Sequence, residues 1–222
     1  MTRSKLWRGT PAGIALLVVV TLYFSTAWTA DTRPWRFSDE PVGAVPQGWE
    51  VLSGRWEIRV EAPGTNRVLV QAGPAPPGWE LSAILTPGPP VADLDARVKV
   101  RAGGLDAFET IGLLLRWQDP TTMLIVRVDG TRRWIWVERV QDGWRSVRAG
   151  YSIDTRAPGM WNVLRVTARR EWLNLFFNGK FLGSVRDDDP APGRVGLVAG
   201  PGAAVLLDDV EVEALADLDN SG

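Results

Sequence analysis

The stretch "GLLLRWQDPTTMLIVRVDGTRRWIWVERVQDGWRSV", Gly112 to Val147, decides how this chain is read. Three apolar runs, GLLLRW, MLIVRV and RWIWVERV, are separated by QDPTT and DGTR, and Asp142-Gly143 precedes a further run that starts at Trp144. Short runs rich in Val, Ile, Leu and Trp, divided by such turn residues, mark strands joined by hairpins, and Asp-Gly is among the most specific hairpin pairs. Side chains alternate between the two faces of a strand. Ile135 and Val137 therefore share one face, whose aliphatic character points to the core. Trp134, Trp136 and Glu138 share the other. Two indoles side by side serve as a platform for a sugar ring, as a contact for a partner protein, or as packing inside a thick sandwich, and the alternation alone leaves all three open.

The same rhythm extends in both directions from Trp35 onward. RWEIRVEA, VLVQA, ELSAILT and LDARVKVRA come before the stretch; WNVLRVTAR, EWLNLFF, FLGSVRD, GRVGLVAG and AVLLDDVEVEA come after it. Turn residues recur every 8–12 positions, the spacing of a sandwich or barrel, and helical periodicity is almost absent. The expected fold class is all-β, with about a dozen strands and no internal repeat.

Several of these runs carry a resemblance. GLLLRWQDPTTMLIVRVDG, WNVLRVTARREWLNLFFNGKFLGSVRD, GRVGLVAG and LLDDVEV, in that order, resemble the concanavalin A-like lectin/glucanase superfamily, in particular its laminin-G-like and 3-keto-disaccharide-hydrolase-like branches. FSDEPVGAVPQGWEVLSGRWEI resembles their opening, so the likeness spans about Phe37 to Glu213. It implies a jelly-roll β-sandwich of two large antiparallel sheets, one concave and one convex. It also implies where chemistry would lie. Glucanase members carry clustered carboxylates, E-x-D-x-x-E, on one strand of the concave sheet, and no such motif occurs here.

Composition narrows the function further. The chain has 222 residues, a net charge of −1, and neither histidine nor cysteine. Near-neutral charge argues against nucleic acid, which demands a strong basic excess. The two absences exclude Ser-His-Asp and Cys-His nucleophiles, the usual zinc sites, iron–sulfur clusters, His-ligated haem and disulfides. Glu211 and Glu213 share one face of the last strand, and Asp187–Asp189, followed by Pro190, read as a solvated loop. No enzyme is expected.

The N-terminus is either a secretory signal or an anchor. Arg3, Lys5 and Arg8 precede an uncharged stretch from Gly9 to Ala30, and "STA" ending at Ala27 would suit a cleavage site. Trp7 and Trp28 flank the stretch at a spacing which, at about 1.5 Å per helical residue, roughly matches the ~30 Å hydrocarbon core of a bilayer, and they suit its two interfaces. The anchor is the favoured reading: a single pass through the inner membrane, with the basic flank inside and the following domain in the periplasm. The expected organisation is a signal-anchor over residues 1–30, a linker over 31–36, the sandwich over 37–214 and a tail over 215–222.

Candidate sites follow from the strand pattern. Arg116 and Arg127 fall between aliphatic positions of neighbouring strands and are expected beside Trp134 and Trp136, with Trp144 just past the turn, as a surface for a ligand or partner. Tryptophan and arginine are typical anchors of such surfaces. Asp208 and Asp209, joined by Asp39 or Glu40, lie where superfamily members often bring a carboxylate close, so calcium is the one cofactor considered. Trp56 and Trp161 are expected in the core, and Trp49 and Trp79 as caps on loops. Two functions compete: a membrane-anchored, non-catalytic accessory subunit of a bacterial membrane protein complex, respiratory or photosynthetic, and an exported carbohydrate-binding module. A glycoside hydrolase ranks below both.

Overall fold

Fourteen strands form among the residues that the computed structural model describes, 34–73, 80–102, 110–157, 159–200 and 205–216. They make two antiparallel sheets of seven. The front sheet runs, in spatial order, β1 (Glu50–Ser53), β4 (Ser82–Leu85), β13 (Arg194–Ala199), β6 (Ile111–Asp119), β7 (Thr122–Asp129), β8 (Trp134–Gln141) and β9 (Trp144–Ser152). The back sheet runs β12 (Lys180–Arg186), β11 (Trp172–Phe177), β10 (Asn162–Arg169), β5 (Leu94–Ala102), β14 (Val205–Ala214), β3 (Arg67–Gln71) and β2 (Trp56–Val60). No helix occurs among the described residues. The proposed anchor, with Trp7 and Trp28, lies outside them, as do Trp79 and most of the expected tail.

Turn chemistry sets the hairpins. Asp142 and Gly143 both have positive φ, 50° and 80°, and so do Asn178 and Gly179, 51° and 81°. Two consecutive positive φ values make the type I′ turn, whose twist matches that of the flanking strands. Asp129-Gly130 behaves differently. Asp129 stays in β7, and its carboxylate accepts from the backbone N–H and guanidinium of Arg132, both at 2.8 Å. A wider loop with Arg133 at φ 56° makes that connection.

Alternation then builds the core. Leu113 and Leu115, Leu124, Val126 and Val128, and Ile135 and Val137 from the front sheet meet Leu94, Ala96, Val98 and Val100, Leu164 and Val166, and Leu173 and Leu175 from the back sheet. All of these are fully buried, and a Val or Leu removed from water in this way contributes about 1.5–3 kcal/mol. Trp56 is buried as expected, and its indole N–H donates to the Ser53 carbonyl at 3.0 Å. Trp49 packs into the core against Trp35 and Phe37. Trp161 is not core: it is half-buried, with the Arg101 guanidinium 5.1 Å from its ring centroid.

Two arginines enter the sandwich. Register slips in β6 between Leu115 and Asp119, where Arg116 takes φ 49° and turns inward. Arg139 follows Ile135 and Val137 on the core face of β8. Both are buried, and both donate to Asp187 Oδ2, Arg116 at 2.5 Å and Arg139 at 3.3 Å. Arg139 also reaches Asp189 at 2.6 Å, and Arg116 reaches the Arg170 carbonyl at 2.5 Å. Asp187 is thus the buried counter-ion of two cations and not part of a solvated loop. A charge taken from water survives only when paired and hydrogen-bonded, which is what holds the run 187–189 against the front sheet.

Candidate functional site

The slip at Arg116 decides what the outer face of the front sheet presents. Because Arg116 turns in, Trp117 takes the outward position beyond Leu114. The outward residues of β7 are Met123, Ile125 and Arg127; those of β8 are Trp134, Trp136, Glu138 and Val140. Arg127 lies directly opposite Trp136 in the ladder, and its guanidinium stands 6.0 Å from the ring centroid. Trp134 and Trp136 lie with ring centroids 5.6 Å apart and planes inclined at 47°, and both are half-buried. Gly150 of β9 faces Trp136, leaving room for the two indoles to spread over β9.

Glu138 is a buried charge on this face. Its Oε1 accepts from Arg127 at 2.8 Å. Its Oε2 has no hydrogen-bond partner among the described residues, and the Nε of Arg145 stands 3.9 Å away. Arg145, on β9, reaches outward to Glu80. Arg127, Glu138, Arg145 and Glu80 therefore form a line of alternating charge from β7 across β8 and β9 to the segment before β4.

On one side of that line are the indoles; on the other is an apolar groove of about 280 Å³. Its wall is Leu52, Leu81, Trp117, Met123, Ile125 and Val140, and its rim carries Glu80 and Arg145. The indole N–H of Trp117 is buried without a partner among the described residues. The back sheet presents the opposite character. Arg97–Glu211 at 2.6 Å and Arg165–Asp95 at 2.5 Å cover its outer face with paired charges, around a groove of about 210 Å³ that Glu213 also lines.

The expected surface residues are thus only partly brought together. Trp134, Trp136 and Arg127 share one patch. Arg116 does not belong to it, being fully buried with Asp187. Trp144 pairs with Gln141 at the far end of β8 from Trp134, which pairs with Ser152, and is 83% exposed. Glu138, noted only as sharing the face of the indoles, proves to be a buried carboxylate. Arg145 gave no signal in the sequence, since it follows Trp144 in a run with no clear periodicity.

Asp208 and Asp209, expected as calcium ligands, have partners of their own. Asp209 binds Lys99 at 2.5 Å and Arg36 at 3.1 Å. Asp208 accepts from Asn66 at 3.1 Å and from the Asp209 N–H at 2.8 Å. Burial pushes its carboxyl above the ordinary range, and the Asn66 hydrogen bond opposes that. Asp39 is exposed on the loop after Phe37. Among the described residues no three acidic groups gather in a way that would hold a metal ion.

No protein-family model and no curated protein sequence matches the chain. Solved structures do. A carbohydrate binding module, CBM66 from Bacillus subtilis, superposes with a TM-score of 0.62 at 17% identity, over 78% of this chain and 99% of its own. The GH43 protein BlXynB from Bacillus licheniformis superposes at 0.57 and 13% identity, over 83% of this chain and 40% of its own. The exoplasmic/lumenal domain of VIP36, in a form bound to Ca2+ and Man3GlcNAc, superposes at 0.53 and 17% identity, over 73% of this chain and 84% of its own. At such identities the likeness is one of fold: a jelly-roll β-sandwich of two antiparallel sheets, the architecture that the motif resemblance implies.

Proposed function

We propose that this domain is a carbohydrate-binding module whose ligand lies on the outer face of the front sheet, over Trp134 and Trp136 and toward the groove beside them. The observation that carries the reading is the indole pair: two half-buried rings on the face away from the core, braced by Arg127 and given room by Gly150. Aromatic faces stack on the C–H faces of sugars, and the polar groups that fix orientation stand beside them. Neighbours in fold whose names speak of carbohydrate, the CBM66 module and the Man3GlcNAc-bound VIP36 domain, support the same reading.

Binding is proposed without cleavage. A glycosidase sets two carboxylates across the scissile bond. Here Glu138 has Arg127 and Arg145 as neighbours, and Asp129, the next acid along the face, is turned onto Arg132. The N-terminal segment would tether the module to the inner membrane with its sugar face in the periplasm, a reading that rests on the sequence of residues 1–30.

A second reading keeps the domain as an accessory subunit of a membrane complex. It draws on exposed apolar side chains that do not line the groove, Trp144, Trp172 and Phe181. Electrophoresis of the full 222-residue chain, in mild detergent, through gels containing neutral or acidic polysaccharides separates the two. The carbohydrate reading expects at least one polysaccharide to retard the chain, and the double variant Trp134→Ala, Trp136→Ala to run unretarded. Migration unchanged by every polysaccharide, together with co-purification of other membrane proteins, would establish the subunit reading instead.

A further inference from the structure

The geometry points to a ligand that carries a carboxylate: a glycan containing uronic acid, whose carboxylate replaces Glu80 on Arg145 while its ring lies along the apolar groove. This inference rests on the carbohydrate reading and adds the class of sugar. Three observations support it. Glu138 already has a cation: Arg127 donates to its Oε1 at 2.8 Å. Arg145 is therefore a second guanidinium beside one buried carboxylate, and its Nε stays 3.9 Å from Glu138 Oε2. Its closer partner is Glu80, whose side chain is 79% exposed and lies outside any strand at the groove's rim.

An ion pair with so exposed a member contributes little, because water screens it and two long side chains must be held still. A ligand carboxylate that brings its own ring to the groove keeps the charge pairing and adds apolar burial that Glu80 does not supply. Guanidinium groups suit carboxylates because their planar fork donates two parallel hydrogen bonds. The groove, at about 280 Å³, is at the small end of ligand pockets, which fits one or two sugar units better than a folded protein partner. Glu80 in this account stands in for the ligand's acid and sets specificity by competing with it.

The test is calorimetric titration of the full chain with polygalacturonate and alginate, each offered with free carboxylates and as its methyl ester, and with polyglutamate. The free acids are expected to bind at least about tenfold more tightly than their esters, the scale of a hydrogen-bonded charge pair. The preference should weaken as salt rises. Glu80→Gln is expected to tighten binding of the free acid by up to about fivefold by removing the competitor. Arg145→Gln is expected to abolish the preference for acid over ester, and Arg145→Lys to restore part of it. Esters or neutral glycans binding as well as the acids would overturn the inference and leave the carbohydrate reading standing. Polyglutamate binding as tightly as the acidic sugars, with no effect of Trp136→Ala, would overturn it in favour of an acidic protein partner. Failure of every glycan would remove the carbohydrate reading as well.

Discussion

A Cβ on Gly150 would stand 2.4 Å from the indole Nε1 of Trp134. Trp136, directly opposite Gly150 in the β8–β9 ladder, would meet the same atom at 3.1 Å. The posture of the two rings on the front sheet thus depends on a hydrogen in place of a methyl.

Gly150→Ala is accordingly expected to push Trp134 off β9 while leaving the sandwich intact, since no positive φ is required of Gly150. Near-UV circular dichroism should lose the signal of the coupled indole pair. Affinity for the retarding polysaccharide should fall by about tenfold, with the thermal midpoint lowered by only a few degrees. An alanine variant with unchanged binding would show that the pair is scaffold.

Asp187 is predicted to matter for stability far more than its place in an Asp-Asp-Asp run suggests. Asp187→Ala leaves Arg116 and Arg139 buried with one counter-ion fewer, a loss of about 3–5 kcal/mol measured by urea unfolding. Asp188→Ala, whose carboxylate pairs with exposed Arg148 and Arg186, should stay within about 1 kcal/mol of the parent. Equal effects of the two substitutions would refute the buried network.

The contrast shows what was legible in the sequence. Thirteen runs recognisable from composition and turns became strands, because Val, Ile and Leu at alternate positions fill a two-sided core. β1 was missed: Glu50 and Val51 are exposed, so its short segment has no alternation to read. Arg116 was assigned to the wrong face because alternation assumes an unbroken register, and a bulge with φ 49° leaves no mark in the residue types around it. Asp187 was misread for another reason: its partners come 71 and 48 residues earlier, a distance over which local polarity says nothing. The indole face was legible, since β8 keeps its register with β7 from Trp134 to Val140.

Glu57 provides a pH-dependent contribution to stability. The hydrogen bond from Arg59 holds its carboxyl below the ordinary range, with Arg55 adding charge, against the desolvation that would raise it. A carboxyl lowered in the folded state contributes stability that is present above the unfolded pKa, about 4.3, and is lost as pH falls through the folded value. Glu57→Gln should therefore cost up to about 1 kcal/mol at pH 7, a modest amount because both arginines are largely exposed. Denaturant melts of parent and variant should converge as pH falls below the folded-state value. A difference that persists or grows in acid would contradict the assignment.

Trp144 is predicted to be silent in sugar binding despite its place just past the hairpin turn. It is 83% exposed and does not line the groove, although its neighbours Gly143 and Arg145 do. Trp144→Ala should change stability by less than about 0.5 kcal/mol and leave polysaccharide affinity unchanged in calorimetry. A weakened sugar affinity would extend the ligand from the groove over the tip of the β8–β9 hairpin.

The outer face of the front sheet is proposed to bind carbohydrate through Trp134 and Trp136. Titration of the full chain and of its Trp136→Ala variant with the polysaccharide that retards the parent tests it most directly. Loss of a stacking anchor worth roughly 2 kcal/mol predicts about a thirtyfold rise in Kd, with the unfolding midpoint nearly unchanged. The same Kd for parent and variant would place the sugar elsewhere on the molecule and contradict the claim.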